Sequence, residues 1–295
     1  MTALSTAAGV LLVLVALRDV FDTLFHPHGR GVVSEAVVRQ IWRAMRLVVR
    51  GNHAALSLAG PLAFLTVIVT WGTLVVIGFA LMLWPHFPEG FANSEAAVGS
   101  GGHFGDAIYL SLVNLTSLGY GDIAPTSDYL RLLGPLETLI GLGLLTASIS
   151  WILFLYRVLA DYRSLSHEIL LLSDAERKSD TTLASIEAPV AAQVLADLTS
   201  RVIAIRDDLV HSPIAYYFHP RSARHALPVL LPRLLEIVDE CSGTGQRALR
   251  FEAALLQASL EDLLDTVASQ FVRVPTDGTD RALAAYRQDH LWDPA

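Results

Sequence analysis

Charge is scarce in this chain of 295 residues: Asp, Glu, Lys and Arg together make up 17% of it, against 53% hydrophobic residues. Soluble domains carry about a quarter of their residues as charges, so this composition, with a mean hydropathy of +0.46, excludes an ordinary soluble protein and requires a membrane. Lysine is nearly absent, with Lys178 alone beside abundant arginine, a bias that hints at a bacterial high-GC source. The single cysteine, Cys241, excludes an intrachain disulfide and has no companions spaced for zinc. His26 and His28 flank a proline without further ligands nearby and read as a loop. No strand followed by Gly-x-Gly-x-x-Gly announces a dinucleotide fold, and no run of alternating strands announces a cyclic-nucleotide roll. Glu261, Asp262 and Asp265 lack the alternating oxygens and central glycine of a calcium loop. No nucleophile, phosphate loop or ligand cluster stands out after residue 160, so neither an enzyme nor an organic cofactor is expected.

What is abundant is long apolar sequence. Residues 4–25 form a first candidate span, interrupted by Arg18, Asp19 and Asp22, which are expected near an aqueous face. No Lys or Arg precedes Arg18, so the leader of a signal peptide is missing and a retained helix with its amino end outside is expected. Arg30, Arg39, Arg43, Arg46 and Arg50 follow, and then no Lys or Arg until Arg131, which places residues 26–58 in the cytoplasm. The spacing of four, three and four puts Arg39, Arg43, Arg46 and Arg50 on one helical stripe. A voltage sensor repeats arginine every third residue within a four-helix bundle. The expectation here is instead an interfacial helix, with these arginines at anionic lipid headgroups and Val37, Val38, Ile41, Trp42 and Met45 facing the membrane. The span 61–84 then runs outward from Pro61, and residues 85–103 become an external turret carrying Glu89 and Glu95.

Between that span and a second long apolar stretch, about 130–157, residues 114–122 read Asn-Leu-Thr-Ser-Leu-Gly-Tyr-Gly-Asp. Glycines that tolerate positive φ let neighbouring carbonyls face one axis, and Gly119 and Gly121 supply that freedom. The carbonyls of Ser117, Leu118, Gly119 and Tyr120, with the Ser117 hydroxyl, can then form oxygen rings that replace the hydration shell of a potassium ion, once several copies surround the axis. The strip Ser117-Leu118-Gly119-Tyr120-Gly121-Asp122 resembles the filter of the potassium channel family, usually Thr-Val-Gly-Tyr-Gly-Asp. Serine keeps the hydroxyl, and leucine for valine changes packing behind the carbonyl. The resemblance covers residues 61 to 160. It implies a homotetramer with K+ as permeant ion, each subunit contributing an outer helix, a re-entrant pore helix, the filter and an inner helix.

The flanking residues carry the same reading. Residues 104–116 are too short to cross a bilayer, so a half-crossing helix is expected, its carboxyl end aimed at the inner mouth of the filter. By the resemblance, Tyr109 sits where an aromatic braces the filter, and Val113 stands where some members place a glutamate. Asp122 lies at the mouth, where Asp106 and Asp128 also enrich cations. The inner helix is expected from Asp128 to about Arg157 and carries Pro135, with Gly141 or Gly143 as a gating hinge by the resemblance, or as a place of close helix packing. Glu137 is an acid within this apolar helix. It either accepts hydrogen bonds from Thr116, Asn114 or Ser117 behind the filter, or stays protonated, or faces water.

After Arg157 the composition changes, with 20 Asp and Glu against 13 Lys and Arg, a balance that argues against nucleic acid. Apolar residues at three and four spacing predict helices over 186–211, 221–241 and 246–272, an all-helical bundle. The chain is therefore expected to be all-α. Its segments are an N-terminal membrane helix with a basic interfacial helix at 1–58, a pore domain at 59–160 and a cytoplasmic bundle at 161–295. It is expected in the plasma membrane, the inner membrane if the source is bacterial. The competing reading is a membrane-anchored helical sensor or scaffold whose pore is weakly selective or nonconducting.

Overall fold

A computed structural model of the chain describes residues 2–25, 31–49, 52–93, 103–275 and 278–292. His26, His28, Arg30, Arg50 and Glu95, singled out above, lie outside these residues. The described chain is an all-α membrane protein: ten α-helices and a few short helical turns, with one antiparallel pair of three-residue strands. Two compact units are formed, residues 1–38 with 64–153 and residues 39–63 with 154–295. Packing thus cuts the chain differently from the expected segments at 58 and 160, because residues 39–63 join the C-terminal region.

In the first unit, α1 (Thr2–Leu24) packs against α4 (Ala59–Leu83), both apolar and long enough to cross a membrane. Their approach is set by two glycines. A Cβ built on Gly9 would overlap the Gly78 carbonyl oxygen, and one on Gly78 would lie 2.8 Å from the Gly9 carbonyl oxygen. Small residues at a membrane helix crossing let backbones meet and gain dispersion contacts, which replace the absent hydrophobic drive. Asp19 is the unexpected member of α1. It is buried, not at an aqueous face, and its carboxylate accepts from Val33 N at 2.8 Å, Ser34 N at 3.0 Å and Trp71 Nε1 at 2.8 Å. The acid of one helix thus caps the start of α2 (Val32–Val49) and ties α4 to both, which satisfies orphan amides that α2 itself cannot bond.

The same unit holds the re-entrant helix α5 (His103–Leu115) and the first part of α6 (Asp128–Ser179). Strand β1 (Phe91–Asn93), before α5, pairs antiparallel with β2 (Ile123–Pro125), just after the strip 117–121, with Phe91 opposite Pro125 and Asn93 opposite Ile123. This clasp was not foreseen, since three-residue strands leave no periodicity to read. Helix α6 also differs from expectation. It does not stop near Arg157 but runs 52 residues to Ser179, about 78 Å at 1.5 Å per residue. The change in composition at Arg157 marks a change of surroundings, because helix propensity continues unbroken through Leu, Ala, Arg and Glu. It ends where Asp180 turns left-handed at φ 53°, with Thr181 N bonded to the Glu176 carbonyl.

In the second unit, α7 (Ala188–His211), α8 (Leu227–Ser242) and α9 (Arg247–Val267) bury their apolar stripes around Leu195, Leu198, Leu231, Leu234, Leu256 and Leu260. Helix α7 is apolar enough to span a membrane by length and composition, yet its apolar face lies in this core and its other faces carry Arg201, Arg206 and Asp207. The expected helix from 221 begins only at Leu227, with Pro228 in its first turn, where the missing N–H is harmless, and Pro232 inside. A further helix, α10 (Thr279–Asp289), carries only three buried apolar residues and gave little signal in the sequence.

The same unit contains the basic half of α2, the short helix α3 (His53–Leu56) and the start of α4. The apolar stripe expected to face the membrane is corrected here: Trp42 is buried on Leu56 and Ala59, with Met45 packed alongside. Arg46 is likewise not available to a headgroup, since it donates to Asp289. Arg43 remains exposed.

Candidate functional site

The strip that follows α5 has the backbone its composition suggests. Gly119 and Gly121 adopt φ of 58° and 76°, and a Cβ on either would meet nothing within 4 Å, so the φ requirement and not crowding selects glycine there. Ser117 also turns left-handed, at φ 61°. Positive φ therefore recurs at every second residue, 117, 119 and 121, with Leu118 and Tyr120 between them. That third position was missed because serine does not advertise αL. The strip leaves α5 through two backbone bonds, Ser117 N to Asn114 O and Leu118 N to Val113 O, each 3.0 Å. Thr116 does not reach the acid behind it; its hydroxyl donates to the Leu112 carbonyl at 2.6 Å and finishes the helix.

The far end of the strip is tied back to α5. Tyr109 OH donates to Asp122 Oδ2 at 2.7 Å, while Asp122 Oδ1 accepts from Ile123 N at 3.1 Å. A carboxylate thus holds the exit of the strip against the helix that precedes it and against the start of β2. A charge-assisted bond of this kind fixes the spacing between the two more firmly than a neutral one.

Glu137 lies behind the strip with no exposed surface. Of the partners expected for it, Asn114 is present, donating from Nδ2 to Oε2 at 3.3 Å, whereas Thr116 and Ser117 are not. Ser111 on α5 supplies the other contact, to Oε1, and went unnoticed because one serine in an apolar helix has no distinctive spacing. The Ser111 hydroxyl also lies 3.0 Å from the Val76 carbonyl of α4. A hydroxyl has one proton, and a carbonyl has none to give. If Ser111 donates to Val76, the proton in its contact with Glu137 comes from the carboxyl. Among the described residues no cation pairs with Glu137, so a neutral acid is the form this buried apolar site accommodates. Val76, Ser111, Glu137 and Asn114 join α4, α5 and α6 behind the strip.

Helix α6 touches α5 at two further points. Thr138 Oγ1 donates to the Asn114 carbonyl at 2.9 Å, and Gly141 lies so close to the last turn of α5 that an added Cβ would overlap the Leu115 carbonyl oxygen. Gly143 has nothing within 4 Å of its Cβ direction. The two glycines expected as alternatives are thus physically distinct, one a contact and one open. Leu118 and Tyr120 of the strip are exposed in the single chain, as are Leu139, Leu142 and Leu145 of α6.

With this geometry in view, the comparisons with known proteins are specific about the region. A family model described as Ion channel matches residues 63–154, which include α5, the strip and the membrane part of α6. The chain is also 30% identical over 169 residues to the uncharacterized membrane protein YdjJ of Bacillus subtilis (strain 168), a match covering 56% of this chain and 48% of that one. The chain thus spans about half the length of this relative. No solved structure matches it. Residues 63–154 are similar to an ion channel, within a multi-pass membrane protein.

Proposed function

We propose that the chain is one subunit of a potassium-selective channel. Four copies would place the strip Ser117-Leu118-Gly119-Tyr120-Gly121 around a common axis. The observation that carries this reading is the recurrence of positive φ at residues 117, 119 and 121 in a strip suspended between a half-crossing helix and a spanning one. Backbone that alternates in this way turns successive carbonyls toward one side, whereas an ordinary extended strand points them to opposite sides. Carbonyl rings from several subunits replace the water around K+ at sites close enough for ions to move from one to the next. No bond is made or broken.

The other residues take supporting parts in this reading. The carboxyl end of α5 presents a partial negative charge at the inner end of the strip. Asp122, held by Tyr109, sets the outer mouth, and the neutral Glu137 fixes the spacing of α5 and α6 without placing a charge that would trap the ion. Exposed Leu118, Tyr120, Leu139, Leu142 and Leu145 form an apolar surface larger than a lone chain needs, and neighbouring subunits and lipid would cover it. The α6 helix would form the gate, with Gly141 and Gly143 near its bend, and residues 154–295 would lie in the cytoplasm of a cell whose plasma membrane holds the tetramer.

Purified protein reconstituted into liposomes tests conduction. The expected result is potassium flux that a Gly119→Ala substitution abolishes, because a Cβ at φ 58° strains the strip. Absence of flux in the unsubstituted protein would favour a scaffold, and flux indifferent to the substitution would place the pathway elsewhere.

A further inference from the structure

In the unit made of residues 39–63 and 154–295, three histidines from three separate stretches meet in a column. His53 Nδ1 lies 3.0 Å from His219 Nε2, and His219 Nδ1 lies 3.3 Å from His290 Nδ1. Trp292 stacks on His53 with ring centres 4.0 Å apart and on His219 at 4.6 Å. His219 and His290 are 4% and 2% exposed. A neutral imidazole offers one donor and one acceptor, so both nitrogens of His219 are satisfied only if the protons are ordered along the column, one for each contact.

Among the described residues the surroundings offer no free counter-charge for an added positive charge. Among the described residues, the charged and titratable groups beside the column are Arg46 on α2, Tyr216 on the turn 213–217, and Tyr286 and Asp289 on α10. Asp289 is the only acid among them, and its oxygens are taken by Arg46 at 2.5 Å, Tyr216 OH at 2.7 Å and Trp42 Nε1 at 3.1 Å. Arg46 opposes a charge on His290, and among the described residues His290 Nε2 has no hydrogen-bond partner.

We propose that His53, His219 and His290 form a proton-sensing latch, which when neutral pins residues 286–292 and the turn 213–219 to the segment 52–60 at the entrance of α4, and which protonation releases. The entrance of α4 is held by the adjoining residue as well, since a Cβ on Gly60 would lie 2.6 Å from the Phe218 ring. The latch belongs to the helical unit alone and does not rest on ion conduction.

Its pH range follows from linkage. Burial lowers both His219 and His290 from 6.5 to about 3. Once released into water both regain ordinary values, so the released state binds more protons and acid favours it. From about pH 7.5 upward neither state takes up appreciable protons and the latch is at full strength. Between about pH 7.5 and 5.5 the ratio of latched to released forms falls roughly tenfold for each histidine, about a hundredfold for the pair.

Hydrogen exchange on the full chain, corrected for the intrinsic effect of pH, tests this. Amides in 53–56 and 286–292 are expected to lose about a hundredfold in protection from pH 7.5 to 5.5 while the buried turns of α9 keep theirs, and H219N/H290N is expected to remove that pH dependence. Equal protection at both pH values in the unsubstituted chain, or the same acid loss in the double variant, would overturn the latch. Should the double variant not fold, the slope of log protection against pH in the unsubstituted chain decides. Two coupled protons give a slope approaching two near pH 5.5, and a slope of one or less overturns the proposal.

Discussion

At the scale of single residues, Glu137 is the most demanding position in the chain, an acid with no exposed surface in a membrane helix. If it is neutral, glutamine reproduces it, with the amide nitrogen donating to Ser111 and the amide oxygen accepting from Asn114. Glu137→Gln is therefore expected to leave thermal unfolding of the detergent-solubilised protein within about 0.5 kcal/mol of the original, whereas Glu137→Ala leaves polar groups unpartnered and a void, and loses about 3 kcal/mol. Equal loss in both variants would mean that the carboxylate is ionised. Tyr109→Phe removes the bond to Asp122 while keeping the ring, and single-channel recording is expected to show conduction that decays faster under sustained opening. Much of this level was legible in the sequence. Gly119, Gly121 and Asp122 announce themselves because backbone conformation and charge restrict which residues can stand there. Ser111 and Ser117 do not, since serine serves equally well in a helix, a turn or a surface, and only the fold assigns their roles.

At the scale of elements, hydropathy located α1, α4 and the re-entrant helix to within two residues, missed the end of α6 by about twenty, and misjudged what the polar residues on them do. Asp19 looked like a flaw in a span and is the cap of another helix. Asp19→Ala is expected to cost about 1–3 kcal/mol for each of the three donors it strands, read by chemical unfolding, and to loosen α2 from α4. The Trp42 and Arg46 stripe looked interfacial because an amphipathic helix presents the same pattern to a lipid surface and to a protein groove; only the partners, Leu56, Ala59 and Asp289, distinguish them. The glycines of α6 invite a paired comparison. Gly141→Ala forces a methyl into the Leu115 carbonyl and is expected to destabilise by about 1–3 kcal/mol, while Gly143→Ala meets nothing and gains up to about 1 kcal/mol of helix propensity. Thermal unfolding that ranks the two the other way would contradict the contact.

At the scale of the whole molecule, the chain joins a membrane unit whose apolar helices leave much of their surface uncovered in the single chain to a helical unit with a full core of its own. Three helices, α2, α4 and α6, contribute residues to both units. The sequence could not reveal this, because an amphipathic basic helix presents the same pattern to a lipid surface and to a protein groove, and only packing assigns residues 39–63 to the helical unit. The proposed strip selects potassium over sodium. Reversal potentials across planar bilayers holding the purified protein, with potassium and sodium gradients opposed, test it most directly. The expected reversal potential follows the potassium gradient as the two are varied; one that follows sodium as closely as potassium would mean that the strip does not select potassium.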